Sequence, residues 1–240
     1  MGQIKTQYSR YWNQIKGDLN AHATAVGGDF ETMGRLEFAL LQHAAGLTPD
    51  SSVIDVGCGS GRLAVQLRHW LRGPYLGTDV LPELLDYAKQ LCDRPDWRFT
   101  QIDSTEIPAP DSSADIVCFF SVFTHLPHED SYRYLLEARR VLRTGGRIVC
   151  SFLEFRMRNH WAIFREDLKV VSPDKLLNQF MGRDAFEAFA FNADLRIASF
   201  FDGDKPHIPI DGELVFENGY RVSDLGNLGQ SVCILEKPAS

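Results

Sequence analysis

The stretch VIDVGCGSGRL, residues 53–63, restricts the possible folds of this chain more than any other part of its sequence. A short run of β-branched residues reads as a buried strand. Gly57, Gly59 and Gly61 then let the backbone turn sharply and lie directly against a ligand, where any side chain would stand in the way. Helical patterning resumes at Arg62, so the first free N–H groups of a helix point into the same crevice and suit an anionic group. Strand, glycine turn and helix together form the opening unit of a parallel sheet that binds its ligand beyond the carboxyl ends of the strands.

The rest of the chain continues that alternation. Strands are expected at 52–57, 75–79, 97–102, 115–121 and 146–153, with helices at 62–70, 82–91 and 129–142. Pro82 suits a first helical position, and Thr144-Gly145-Gly146 is expected to close the third helix. Two further strands, at 195–201 and 230–237, make seven. Ahead of this core, 8–19 and 31–45 carry helical patterning with Gly27-Gly28 as the break, while 156–168 and 173–192 read mainly as helices. GELVFENGYRV, with Asn218-Gly219 at its bend, is a hairpin signal. The expected architecture is α/β: a doubly wound, mostly parallel seven-stranded sheet with an N-terminal helical cap or lid over 1–48. A ligand-binding domain over 49–240 then carries substrate-side insertions at about 154–192 and 202–229.

Glycine spacing narrows the ligand. A dinucleotide fingerprint places its third glycine where this chain has Arg62, which speaks against a nicotinamide or flavin. Asp79 ends the second strand about 20 residues beyond the glycines, where a carboxylate accepts both ribose hydroxyls. Asp103, followed by Ser104, ends the third strand and is placed to receive the exocyclic amine of an adenine. Together they describe an adenosine.

On these residues the chain resembles the class I S-adenosylmethionine-dependent methyltransferases, over roughly 51–153 and the closing strands. The acidic-x-Gly-x-Gly-x-Gly signature is complete as Asp55-Val56-Gly57-Cys58-Gly59-Ser60-Gly61, and DIVCFFSVFTHL and RRVLRTGGRIVCSF are similar to later blocks of that family. The resemblance implies a Rossmann-like methyltransferase fold with S-adenosyl-L-methionine as cofactor and S-adenosyl-L-homocysteine as product. It assigns ribose binding to Asp79 with Val80 beside it, the adenine side to Asp103 and Ser104, and the methyl-facing loop to the stretch that starts at Ser121, itself among the expected cofactor-binding residues. Cys58 belongs to the glycine loop, and Asp55 either touches the ligand or orients that loop. The activity implied is methyl transfer to an O or N atom of a small-molecule acceptor. A non-catalytic S-adenosylmethionine-binding protein and a nicotinamide-dependent oxidoreductase are the alternatives.

An alcohol acceptor needs a base, so the histidines matter. His125 is the first candidate for a general base or an acceptor-orienting group, and a ring that ties its loop to a carbonyl is the other reading of the same residue. His128, beside Glu129 and Asp130, is the second candidate and equally suits a helix start. Tyr8, Tyr11 and Trp12 are lid candidates, with His160 and His207 on the substrate side. Arg156 and Arg158 are placed to pair with a carboxylate or phosphate.

Composition excludes several partners. The net charge of −7 gives no basic footprint for nucleic acid, and Ser121-Val122-Phe123-Thr124 stands where enzymes that methylate base amines carry an Asn/Asp-Pro-Pro-aromatic block. No apolar run is long enough to span a bilayer, and the N-terminus lacks a signal-peptide core, so a cytoplasmic protein is expected. Five scattered cysteines without a C-x-x-C pair suit reduced thiols rather than disulfides or a metal site. The partners expected are a small-molecule acceptor and at most a second copy of the chain.

Overall fold

The computed structural model describes residues 2–18, 20–172 and 175–239. Its main sheet has seven strands in the order β3-β2-β1-β4-β5-β9-β6. These are β1 (Val53–Val56), β2 (Tyr75–Asp79), β3 (Arg98–Gln101), β4 (Ala114–Phe119), β5 (Leu142–Phe152), β6 (Arg196–Phe201) and β9 (Ser231–Glu236). The first five are parallel, and β9 inserts antiparallel between β5 and β6. Strands β7 (Ile208–Val215) and β8 (Arg221–Gly226) form the separate hairpin, turning at Gly219 with φ +82°.

Residues of the central strands alternate between two apolar layers because successive side chains leave opposite faces of a sheet. Ile54, Val117 and Phe119 face one layer, where α6 (His128–Val141) and α8 (Arg183–Asn192) bring Tyr134, Leu135 and Phe186. Val53, Ile116 and Cys118 face the other, which α3 (Phe30–Ala44), α4 (Arg62–Leu67) and α5 (Pro82–Cys92) cover with Leu36, Leu40, Leu67 and Ala88. All five cysteines are buried and unbridged.

The segment before β1 therefore divides. Helix α3 is part of the core, with Leu40 and Leu41 fully buried, whereas α1 (Gly2–Ile15) and the short α2 (Ala21–Ala25) lie beyond the Gly27-Gly28 break. Both glycines have positive φ, +93° and +77°. The hairpin packs on α3: Ile208 and Leu214 are buried in that same layer, and the Thr32 hydroxyl donates to Val215 O at 2.9 Å.

Two local expectations change. Thr144-Gly145-Gly146 does not close α6; the helix ends at Val141, and the glycines already belong to β5, where Gly145 N–H donates to Lys237 O on the neighbouring chain segment. The helix expected over 173–192 forms only from Arg183. Residues 175–182 instead run as a strap, with Gln179 N–H bonded to Thr124 O and Met181 N–H to Leu153 O, so tertiary partners replace the intrahelical ones. Leu19 and Pro173, which bound two of the expected helices, lie outside the described residues. Helix α7 is Arg158–Asp167.

Candidate functional site

A cavity of about 350 Å3 lies at the carboxyl ends of β1, β2 and β4 and extends toward the start of β9. Its floor on the β1 side is the glycine loop. Gly57 and Gly59 have φ of +74° and +53°. A Cβ on Gly57 would stand 2.5 Å from Val122 Cγ2, and one on Gly59 would collide with Val26. Gly61 serves the packing behind the cavity. A Cβ there would lie 2.9 Å from that of Ala88, so its bare backbone lets α4 approach α5.

Asp79, at the end of β2, holds this loop in place. Its two carboxylate oxygens accept the N–H groups of Gly59 and Leu81, each at 2.9 Å. Burial pushes its carboxyl above the usual range, and the N–H groups of Leu81, Gly59 and Val80 pull it back down. Val80, Leu84 and Ile102 supply apolar walls beside it. An acceptor group for a diol with apolar surface for a flat ring fits the ribose and adenine of an adenosine.

Under the loop is an acidic cluster. Asp55, 3% exposed, accepts the Tyr75 hydroxyl at 2.8 Å, and burial pushes its carboxyl up to about 7 against that bond. Glu37, from α3, is buried in an ion pair with Arg62, whose other nitrogen donates to Val26 O at 2.6 Å. Arg62 thereby ties the α2 turn and α3 to the glycine loop. Asp55, Glu37 and Asp79 face the cavity against the single guanidinium of Arg62, so the lining suits a cationic ligand.

The opposite end is made of side chains. Ser121 adopts φ +59°, sparsely populated for a residue with a Cβ. It is held there by its N–H bond to Ser151 Oγ at 2.7 Å and by the Thr124 hydroxyl on its carbonyl at 2.7 Å. His125 follows in a 3-10 turn, with Nδ1 2.6 Å from Leu177 O. A carbonyl only accepts, so Nδ1 carries the proton and Nε2 presents its lone pair, with no partner for Nε2 among the described residues. Burial holds this ring below its ordinary pKa of 6.5 and hence neutral at pH 7. One nitrogen of the ring thus ties the loop to a carbonyl, and the other is left free. The edge-on ring of Tyr8, at 5.5 Å, and Tyr11 roof this end from α1.

The fold brings together around the cavity Asp55, Gly57, Cys58 and Gly59, then Asp79 and Val80, and at the far end Ser121, His125, Tyr8 and Tyr11. Other expected residues stand apart from its lining. Asp103 and Ser104 are exposed beyond Ile102, and Ser104 Oγ accepts the Glu106 N–H. His128 reaches Phe180 O at 3.1 Å and ties down the strap. His160 is fully buried between the Glu154 N–H and Gly229 O, at 2.9 Å from each. His207 stacks on Phe201 at 4.5 Å. Arg156 is paired with Glu154 and Asp202. The hairpin, expected beside the acceptor, contributes nothing to the lining because its apolar residues are committed to α3, while Leu176 from the strap does line it.

Sequence reasoning passed over Glu37, Val26, Leu176 and Gln230, all in the lining. Only Glu37 carried a local signal, an acid on the apolar stripe of a helix.

Residues 54–150 match a family described as a methyltransferase domain. The chain is 34% identical over 102 residues to the malonyl-[acyl-carrier protein] O-methyltransferase of Hahella chejuensis, covering 42% of this chain and 36% of that protein. It is 33% identical over 153 residues to the demethylmenaquinone methyltransferase of Tropheryma whipplei, covering 60% and 62%. The chain thus spans between about a third and three fifths of the curated relatives it matches. Among solved structures, the magnesium protoporphyrin IX methyltransferase of Synechocystis PCC 6803 with bound SAH superposes with a TM-score of 0.62 at 16% identity, covering 98% of this chain and 95% of that one.

Proposed function

From the match of residues 54–150 to a methyltransferase domain and from the geometry of the cavity, we propose that the chain is a class I S-adenosylmethionine-dependent methyltransferase that transfers the methyl group to an oxygen or nitrogen of a small-molecule acceptor. The observation that carries this reading is the Asp79 carboxylate, fixed to the Gly59 N–H at the mouth of a cavity with three acids and one guanidinium. Bound S-adenosylmethionine supplies an activated methyl carbon on a cationic sulfur.

The chain's own residues divide the remaining work. Asp79 accepts the ribose hydroxyls, while Val80, Leu84 and Ile102 enclose the ring. Gly57, Cys58 and Gly59 let the cofactor lie on bare backbone, and Asp55 with Glu37 favours its positive charge. Asp103 and Ser104, just outside the lining, serve the solvent-facing edge of the adenine. Helices α1 and α2 act as the lid, with Tyr8 and Tyr11 excluding water from the methyl-transfer end. Neutral His125 takes the proton of an acceptor hydroxyl on Nε2, while its Nδ1–H bond to Leu177 O fixes the tautomer. His128 holds the strap that carries Leu177, which makes it a positioning residue.

A thermal-shift series tests the reading. S-adenosylhomocysteine is expected to raise the melting temperature, as any ligand of the native state alone must, and NAD to leave it unchanged. Stabilisation by NAD alone overturns the proposal, and transfer of labelled methyl to added hydroxyl and amine acceptors separates an enzyme from a binding protein.

A further inference from the structure

The hydrogen bonds at the far end of the cavity leave two donors unused. Gln230, just before β9, donates one N–H to Ser121 Oγ at 3.0 Å, and its Oε1 accepts the Ser151 hydroxyl at 2.7 Å. Ser151 Oγ in turn accepts the Ser121 N–H. In this ring of three residues the second N–H of Gln230 and the hydroxyl proton of Ser121 have no partner among the described residues. Both residues line the cavity. Both are half-buried, so the free donors face whatever fills the cavity.

Their position says which ligand. Across the strand ends the order is β2, β1, β4, β5, β9, so Asp79, Gly57, Ser121 and Gln230 follow one another along the cavity. At about 4.8 Å per strand, Ser121 lies about 10 Å from the Asp79 end and Gln230 farther still. A nucleoside anchored at Asp79 therefore leaves these two donors to the molecule on its far side. That side also holds the acceptor nitrogen of His125, four residues after Ser121 on the same turn.

We propose that Gln230 is a specificity-determining residue: with Ser121 it donates to a carbonyl or carboxylate oxygen adjacent to the hydroxyl facing His125, so that the acceptor is a hydroxy acid or hydroxy-carbonyl compound. This rests on the methyltransferase reading. The His160 and Asn159 side chains support the arrangement from behind, both bonded to Gly229 O, which sets the backbone from which Gln230 projects.

The test is calorimetry on the S-adenosylhomocysteine-saturated protein with salicylate, 2-hydroxyacetophenone and phenol as probes. Salicylate carries the carboxylate form of the adjacent oxygen, 2-hydroxyacetophenone the carbonyl form, and phenol neither. The wild type is expected to bind at least one of the first two at least tenfold more tightly than phenol, the usual effect of one or two bonds to a strong acceptor. Gln230→Glu keeps the shape and the bond from the Ser151 hydroxyl, turns the Ser121 hydroxyl round to donate to the new carboxylate, and so removes every donor. It is expected to abolish the preference while S-adenosylhomocysteine binds within twofold of wild type. Equal binding of all three probes by the wild type, or an undiminished preference in the variant, overturns the proposal. So does an equal loss of S-adenosylhomocysteine affinity, which assigns the donors to the cofactor's own carboxylate. Failure of the wild type to bind S-adenosylhomocysteine is a separate result that removes the methyltransferase reading itself.

Discussion

The two ends of the cavity are built in opposite ways. Around Asp79 and the glycine loop the wall rests on the ends of two adjacent parallel strands and the bare backbone of the loop, with Asp55, Asp79, Glu37 and Arg62 supplying its charged groups. Around His125 the wall is side chains that converge from residues 8, 121–125, 176 and 230, four segments far apart in the chain. A backbone wall is fixed once the sheet forms. A wall of converging side chains is only as well placed as the strap, the lid and the start of β9, and it can change identity without disturbing the sheet, which is where specificity is free to vary.

The sharpest break between the two ends is expected from His125→Ala. Loss of the base lowers turnover on a hydroxyl acceptor by about 10²–10⁴-fold, while calorimetry shows cofactor affinity unchanged. The wild-type rate is expected to fall with decreasing pH with its midpoint below 6.5, because burial lowers the pKa of this ring and protonation removes its lone pair. A His125→Gln variant with wild-type turnover and pH profile removes the base role.

Asp79→Ala should act on the other end alone. Losing charge-assisted bonds to the ribose, together with the Gly59 anchor, costs on the order of 2–4 kcal/mol of S-adenosylhomocysteine affinity. Unchanged calorimetric affinity takes Asp79 out of the ribose role.

Asp55 tests whether the acid cluster feels the cofactor. Its carboxyl, at about 7, is partly protonated near neutrality, and a cation beside it expels that proton. Affinity for S-adenosylmethionine is therefore expected to rise about 3- to 10-fold from pH 6 to 8, with proton release visible as buffer-dependent heat. In the free protein the sign is reversed: the folded pKa lies above the ordinary 3.8, so unfolding releases protons and stability falls as pH rises from 3.8 toward 7. An affinity flat across pH 6–8 shows that Asp55 only orients the loop.

The smallest effect belongs to Asp103→Ala. An exposed carboxylate contributes less than about 1 kcal/mol through any bond to the adenine amine. A loss as large as that of Asp79→Ala would mean that ligand binding buries Asp103 and extends the backbone-built end to β3.

Much of this was legible in the sequence because it is local. The run Val53–Val56 with its glycines, Tyr75–Asp79 with its terminal acid, and Pro82 at the start of α5 each carry strand, turn or cap chemistry within a few residues. Two long-range competitions were not legible. Residues 175–182 contain helix formers but bond to Thr124 and Leu153 instead of themselves, and Thr144-Gly145-Gly146 has the composition of a helix stop but pairs with Lys237. Local propensity cannot count hydrogen bonds that come from elsewhere in the chain.

The sequence by itself determined the doubly wound sheet, the glycine loop and the acid at the end of β2, because continuous apolar runs, glycines that admit positive φ and strand-end chemistry are properties of neighbouring residues. Only the tertiary structure decided that Glu37 pairs with Arg62 beneath that loop, that the hairpin packs on α3 away from the cavity lining, and that Tyr8, His125, Leu176 and Gln230 line one cavity. Those meetings depend on how the helices and the strap pack over the sheet ends, a matter of long-range burial and hydrogen bonding that no short stretch of chain encodes.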